Sequence, residues 1–155
     1  MNKLEIIDLR VDKIDSYRGD LESMFIENTY KFHYPDKEVD MDFIGEKFTK
    51  LKKFIGEGNT YFIAALVDGR IAGYIWLYKR DFMTYKRMII NSFFVSEKYR
   101  SLGLGSKLMD AAYDKSRTEG CREMSTHYAV VNQAAGKFYL ANGFEEKRVE
   151  VVKEL

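Results

Sequence analysis

The stretch YRSLGLGSKLMD, residues 99–110, decides the fold of this chain. Two glycines, Gly103 and Gly105, alternate with leucines at the point where an apolar strand-like stretch (87–95) gives way to a helical pattern. Without side chains at two loop positions, backbone N–H groups lie open at the start of the helix, and such a terminus attracts phosphate. The pattern predicts a phosphate cradle, with a plain strand-to-helix connection as the alternative. The helix that follows buries one stripe at positions i, i+4, i+7 and i+8: Leu104, Leu108, Ala111 and Ala112.

The spacing of the glycines excludes two well-known phosphate sites. A dinucleotide-binding fingerprint needs a third glycine three residues after the second, and this chain has Leu108 there. A P-loop needs Gly-Lys-Ser/Thr, whereas the order here is Gly105-Ser106-Lys107. ATP and NAD are therefore disfavoured as ligands, although nucleotide binding through this loop remains an alternative.

Composition limits the class of protein. The chain has 155 residues, a formal net charge of +1, 46% hydrophobic and 32% charged residues, which predicts a single folded domain over 1–155. Without a basic surplus, we expect no nucleic-acid partner. We expect a cytoplasmic protein with no membrane partner. The single cysteine, Cys121, cannot form a disulfide within the chain, the N-terminal stretch is charged, and no apolar run is long enough to span a membrane.

Hydrophobic periodicity predicts a mixed α/β order along the chain. Asp68-Gly69 between two apolar runs indicates a tight hairpin, and the strand–helix–strand unit around the glycine motif is expected to be parallel. The predicted strands cover 4–11, 60–67, 71–80, 87–95, 122–131 and 144–155. The predicted helices cover about 14–34, about 43–55, the glycine motif to about 119, and 133–141.

A second motif follows the strand predicted at 122–131. The pattern N-x-x-A-x-x-F-Y-x-x-x-G-F is formed by Asn132, Ala135, Phe138, Tyr139, Gly143 and Phe144. With it, the chain resembles the GNAT superfamily of acetyl-CoA-dependent N-acetyltransferases, whose pyrophosphate motif Gln/Arg-x-x-Gly-x-Gly/Ala matches residues 100–105. The motifs are specific over 91–144. The resemblance implies an α/β fold whose central sheet is mixed, mostly antiparallel, with a splayed parallel strand pair and flanking helices.

The resemblance also implies a set of acetyl-CoA contacts and no metal. The backbone of Phe93, Phe94 and Val95 would pair with the pantetheine arm, and the N–H of Val95 would stabilise negative charge on the thioester oxygen. Asn132 would contact the pantetheine amides, unless it only caps the following helix, and Tyr139 would also contact the cofactor. The pyrophosphate would be bound at Arg100, Ser101, Leu102, Gly103, Leu104, Gly105 and Ser106.

Four side chains are candidates for moving protons. Tyr139 matches the family's general acid, and a phenol with pKa near 10 can protonate a departing thiolate; the alternative is a packed tyrosine. His127 lies where related enzymes place a glutamate base, and histidine is mostly neutral at pH 7; the alternative is a histidine without a catalytic part. Asn91 and Ser92 are candidates only for routing a proton through water.

The sequence indicates the acceptor only in outline. His33 and an aromatic, acidic stretch at 30–42 border the expected acceptor site, and an acidic rim favours a small primary amine, although a peptide amine stays open. Direct transfer in a ternary complex is favoured over an acetyl-Cys121 intermediate. The alternative to an enzyme is a non-catalytic acetyl-CoA-binding sensor or interaction module. The final stretch VEVVKEL (149–155) is predicted either to complete the sheet or to pair between subunits of a homodimer.

Overall fold

The computed structural model describes residues 2–155 and contains one five-stranded sheet in the order β1-β2-β3-β4-β5. The first four strands pair antiparallel with their neighbours, and β4 pairs parallel with β5. This is the predicted mixed, mostly antiparallel sheet with one parallel pair. The strands are β1 Leu4–Asp8, β2 Thr60–Val67, β3 Arg70–Phe82, β4 Tyr85–Val95 and β5 Glu123–Ser125.

Helices cover both faces of the sheet. On one face, α2 and α3 bury an aromatic core that includes Phe25, Phe48 and Tyr74. On the other face, α4 and α5 bury an aliphatic core around Leu104 and Leu108. The helices are α1 Val11–Ile14, α2 Arg18–Glu27, α3 Met41–Gly56, α4 Leu104–Thr118 and α5 Gln133–Ala141. Within the described residues, no helix is long and apolar enough to cross a membrane.

The N-terminal third is more broken than its sequence pattern predicts. The strand predicted at 4–11 ends at Asp8. The helix predicted at 14–34 is α1, a 3-10 turn Asp15–Tyr17, α2 and a π-helical turn Asn28–His33. Apolar residues in this region are only partly at helical spacing, and the wider π turn places two consecutive residues, Asn28 and Thr29, in the interior.

The C-terminal prediction of two long strands was wrong. The strand predicted at 122–131 is limited to Glu123–Ser125, and residues 144–155 form no strand. Alternating valines supply strand propensity, but a strand needs a partner edge, and Val149, Val151 and Val152 lie exposed instead. A homodimer formed by this segment stays a prediction.

The hairpin and the central strands match the sequence pattern. Asp68 and Gly69 form the two-residue turn between β2 and β3, both with positive φ (50° and 80°). A bulge in β4 was not predicted: Ile90 pairs with Leu77 and Ser92 with Trp76, which leaves Asn91 without a partner. The extra residue reverses which face the next side chains occupy, and this reversal positions the site.

Candidate active site

The parallel strands β4 and β5 separate after three residue pairs. Residues 87–89 pair with Glu123–Ser125, after which β4 continues to Val95 paired only with β3. The Thr126 hydroxyl donates to the carbonyl oxygen of Ile90 at 3.3 Å, and then the chain leaves the sheet. The predicted splay is present, and it exposes the edge of β4 to a cleft.

The register of β3 and β4 shows which backbone groups face that cleft. The N–H of Ser96 donates to the carbonyl of Ala72 at 2.9 Å, so these residues form a hydrogen-bonded pair. Such pairs alternate in an antiparallel ladder, so Gly73 and Val95 form a non-bonded pair. The N–H and carbonyl of Val95 therefore point away from β3, toward the free edge. The N–H of Phe94 points back to β3, while that of Phe93 faces the edge like Val95.

Two residues hold the end of β4 in place. A Cβ on Gly73 would lie 2.8 Å from the carbonyl oxygen of Phe94, so only glycine allows β3 to pack this closely. The Arg100 guanidinium donates through Nε to the Val95 carbonyl at 2.9 Å and lies 4.6 Å from the Phe32 ring centroid. Arg100 thus braces β4, and its direct contact with pyrophosphate stays a prediction.

The glycine motif forms an uncapped helix start. A 3-10 segment, Glu97–Leu102, leads to Gly103, which adopts a left-handed conformation (φ 70°, ψ 20°) that favours glycine. No side chain caps α4, so the N–H groups of residues 104–106 have no helical partner. A Cβ on Gly105 would meet nothing closer than 3.7 Å, so the chain's own packing does not require glycine there. Free donors and the positive end of a helix dipole fit a pyrophosphate.

The second motif brings Tyr139 into the same cleft. Asn132 caps α5, as predicted, because its side-chain oxygen accepts the N–H of Ala135 at 3.1 Å. Two turns beyond Asn132, Tyr139 is 7% exposed, and its ring centroid lies 6.4 Å from that of Phe93 and 5.4 Å from that of Phe144. Burial on α5 therefore directs Tyr139 toward the free edge of β4.

The Tyr139 hydroxyl is held in its protonated form. Burial raises the pKa of this phenol above its ordinary value, and a hydrogen bond with Thr126 lowers it by a smaller amount. Because Thr126 marks the point where β4 and β5 part, the hydroxyl lies at the mouth of the splay. Sequence reasoning missed Thr126, which carries no motif signal of its own.

The two histidines of the chain lie in one neighbourhood. His127 follows Thr126 and is exposed, whereas His33 ends the π turn on the other side of β4. Partial burial lowers the pKa of His33, and the charges of Lys47 and His127 lower it further. The effect of His127 on the pKa of His33 indicates that the two imidazoles lie near each other, a proximity that no sequence spacing indicated.

Some predicted groups are occupied elsewhere. The Asp40 carboxylate caps α3 by accepting the N–H groups of Asp42 (3.0 Å) and Phe43 (3.3 Å), and the Tyr30 hydroxyl accepts the N–H of Asp40. Cys121 precedes β5, at the end opposite the splay, and burial raises the pKa of its thiol. Among residues 2–155, no group of three or more His, Cys, Asp or Glu side chains is placed to hold a metal ion.

Comparisons with known proteins place this geometry in a family. A family model described as the acetyltransferase (GNAT) family matches residues 20–144. An uncharacterized N-acetyltransferase of Bacillus subtilis (strain 168), YycN, is 31% identical over 85 residues, which cover 55% of this chain and 54% of that protein. The chain spans about half the length of the curated relatives it matches.

Two solved structures share the fold at low sequence identity. The aminoglycoside acetyltransferase AAC(6')-Iy, bound to a bisubstrate analogue of CoA, has a TM-score of 0.72 at 18% identity and covers 99% of each chain. The enzyme meta-AAC0020 from an uncultured soil sample, bound to sisomicin, has a TM-score of 0.76 at 20% identity, covering 98% of this chain and 96% of that one. The family match, the splayed sheet and the uncapped glycine loop agree: the chain belongs to the acetyltransferase (GNAT) family.

Proposed function

We propose that the chain transfers the acetyl group of acetyl-CoA directly to a primary amine within a ternary complex. The observation that carries the proposal is the convergence of three features on one cleft: the outward N–H of Val95, the uncapped start of α4, and Tyr139. Solved relatives of the same fold hold a CoA analogue or an amine-bearing aminoglycoside.

This chain's backbone supplies most of the acetyl-CoA contacts in the proposal. The outward amides of Phe93 and Val95 extend the sheet edge to the pantetheine arm, as a further strand would. The N–H groups of residues 101–106 bind the pyrophosphate, and the side-chain NH₂ of Asn132, which its capping bond leaves unused, faces the pantetheine amides. When bound, acetyl-CoA supplies an acetyl group activated as a thioester.

The residues at the cleft divide the chemistry among them. As the amine nitrogen bonds to the acetyl carbon, the N–H of Val95 stabilises the negative charge on the acetyl oxygen. When the carbon–sulfur bond breaks, the Tyr139 hydroxyl donates its proton to the sulfur. The amine loses its own proton to His127, either directly or through a water molecule that hydrogen-bonds to His127. A free thiol and a neutral amide are the products.

His127 is the proposed proton acceptor, and its exposure to solvent limits its contribution to the rate. We expect His127→Gln to lower kcat/KM at pH 7 about tenfold, below the range for a fully positioned base, because solvent can replace an exposed group. The loss should shrink as pH rises and the amine deprotonates by itself. The measurement is a pH profile of both proteins. A His33→Gln control keeps the wild-type profile shape, and an unchanged His127→Gln profile would refute the base.

The acceptor we propose is a small primary amine with further cationic groups. Asp36 and Glu38 remain exposed in the segment between the π turn and α3, and carboxylates near a cleft raise the local concentration of cations. An amine panel measured by release of free thiol tests this: sisomicin, spermidine, lysine and a short peptide with a free N-terminus.

The expected panel result is turnover with a small polyamine or aminosugar and much slower turnover with the peptide. Acetyl-CoA binding is measured in parallel by calorimetry. Tight acetyl-CoA binding without thiol release from any amine would overturn the proposal and favour a non-catalytic binding module. Thermal protection by ATP or NAD that acetyl-CoA does not match would instead favour a nucleotide site.

A further inference from the structure

A buried polar cluster lies beside the site and takes no part in the proposed chemistry. The Asn28 amide donates to the Ser92 hydroxyl at 3.2 Å and to the Tyr74 hydroxyl at 3.4 Å, and the two hydroxyls lie 3.0 Å apart. Tyr74 is fully buried and Asn28 is 6% exposed. Three polar groups placed in an aromatic core cost desolvation energy, which their mutual hydrogen bonds offset.

Only one member of the cluster comes from outside the sheet. Tyr74 on β3 and Ser92 on β4 belong to adjacent strands and satisfy each other. Tyr74 is also fixed by rings on several sides, at 5.0 Å from Phe62 and 5.5 Å from Phe25. Asn28 is the first residue of the π turn. Its amide therefore ties that turn to strands that are already held in place.

The tie meets β4 at its bulge. Ser92 directly follows the unpaired Asn91, and its side chain lies on the α2 face only because the bulge reverses the alternation after Ile90. The next residues on β4 are 93–95, the proposed acetyl-CoA edge. At the other end of the π turn lies His33, beside the proposed acceptor side. Asn28 is thus one tie between the two sides of the cleft, and the one that reaches the bulge of β4.

Separate contacts hold the same turn to the glycine loop. Lys31 forms an ion pair with Glu97 at 2.6 Å, and Phe32 packs under the Arg100 guanidinium. Glu27, just before the turn, accepts the Ser96 hydroxyl at 3.2 Å. These contacts do not involve Asn28, so its replacement should loosen the acceptor side and leave the acetyl-CoA side in place.

We propose that Asn28 is a positioning residue for the acceptor: its amide holds the π turn in register with the bulge of β4. The inference rests on the proposed acetyl transfer and adds the element that determines acceptor affinity. Asn28→Leu, which keeps the side chain's size and removes its hydrogen bonds, tests it. Thr29→Val is the matched control, because Thr29 is equally buried in the same turn and takes no part in the cluster.

The expected result is a split between the two substrates. Asn28→Leu should raise KM for the best amine of the panel roughly three- to tenfold, the equivalent of one lost net hydrogen bond. kcat should change less than KM. The Kd of acetyl-CoA should stay within about twofold, which is less than the effect of one lost hydrogen bond. Thr29→Val should keep the wild-type KM. Tyr74→Phe, which leaves the Asn28–Ser92 bond intact, should lose thermal stability but largely keep KM.

Hydrogen exchange makes the test independent of activity. Asn28→Leu should speed amide exchange in residues 28–33, and Thr29→Val should not. An unchanged KM, an unchanged exchange rate, or an increase in KM that tracks the loss of stability across all three variants would each overturn the positioning role. If no amine is turned over by the wild type, the proposed function fails, and the exchange result alone decides the structural tie.

Discussion

Tyr139→Phe is expected to lower kcat by about a hundredfold or more, the usual contribution of a positioned general acid. The substitution removes only the hydroxyl, so the buried ring keeps its contacts with Phe93 and Phe144. Without that donor, the thiolate must leave as an anion or take a proton from solvent. Acetyl-CoA affinity, measured by calorimetry, should stay near the wild-type value because the proposed binding groups are untouched.

Tyr128→Phe is the matched control for this prediction. Its ring centroid lies 6.2 Å from that of Tyr139, but its hydroxyl bonds to Glu146 at 2.5 Å. We expect near wild-type kcat for it. The raised pKa of Tyr139 also implies that activity shows no alkaline loss from this group below about pH 10, its ordinary pKa. Undiminished turnover in Tyr139→Phe would remove the assigned acid.

Removing the N–H of Val95 is expected to lower kcat by about 10²–10³, as for other donors to a developing oxyanion. Replacing Val95 by its α-hydroxy acid converts the amide to an ester and keeps the side chain. Because this N–H points away from β3, the β3–β4 ladder loses no donor. The new ester carbonyl of Phe94 is a weaker acceptor within the ladder, so the melting temperature should fall, but by less than when a ladder donor is removed.

The same amide-to-ester change at Phe94 is the control that distinguishes an effect on catalysis from an effect on stability. The N–H of Phe94 points into the ladder toward Tyr74, so its ester analogue should lower the melting temperature and affect kcat much less. Single-turnover thiol release and thermal unfolding of both analogues check the prediction. Equal rate losses in the two analogues would mean that Val95 acts through the stability of the strand rather than as a donor.

Local signals in the sequence were sufficient for elements whose pattern is self-contained. Three such features are the Asp68-Gly69 turn, the amphipathic stripe of α4 and the Asn132 cap. Each depends only on residues that are close together in the sequence. The strand predicted at 144–155 failed because pairing needs a distant edge that propensity does not describe. The helix predicted at 14–34 is present but interrupted, since the π turn places Asn28 against strands far along the chain.

The proposed site shows the same division. Motif spacing indicated the glycine loop, Val95 and Tyr139, because their proposed roles use the backbone or a side chain placed by a single helix. No sequence motif marks Thr126, Gly73 or the Asn28 cluster. Their contacts are with residues of other strands, which the sequence alone does not bring together. Arg100 carries a motif signal, but the structure adds a contact that the motif does not describe, its bond to the Val95 carbonyl.

The sequence by itself determined the family, the order of most elements and the loop suited to a pyrophosphate, because periodicity and glycine spacing encode local backbone geometry. Only the tertiary structure decided which N–H groups of β4 are free, where β4 and β5 part, and that His33 and His127 share one neighbourhood. Those features depend on the register between strands and on a bulge at Asn91, and register is set by packing between residues far apart in the chain.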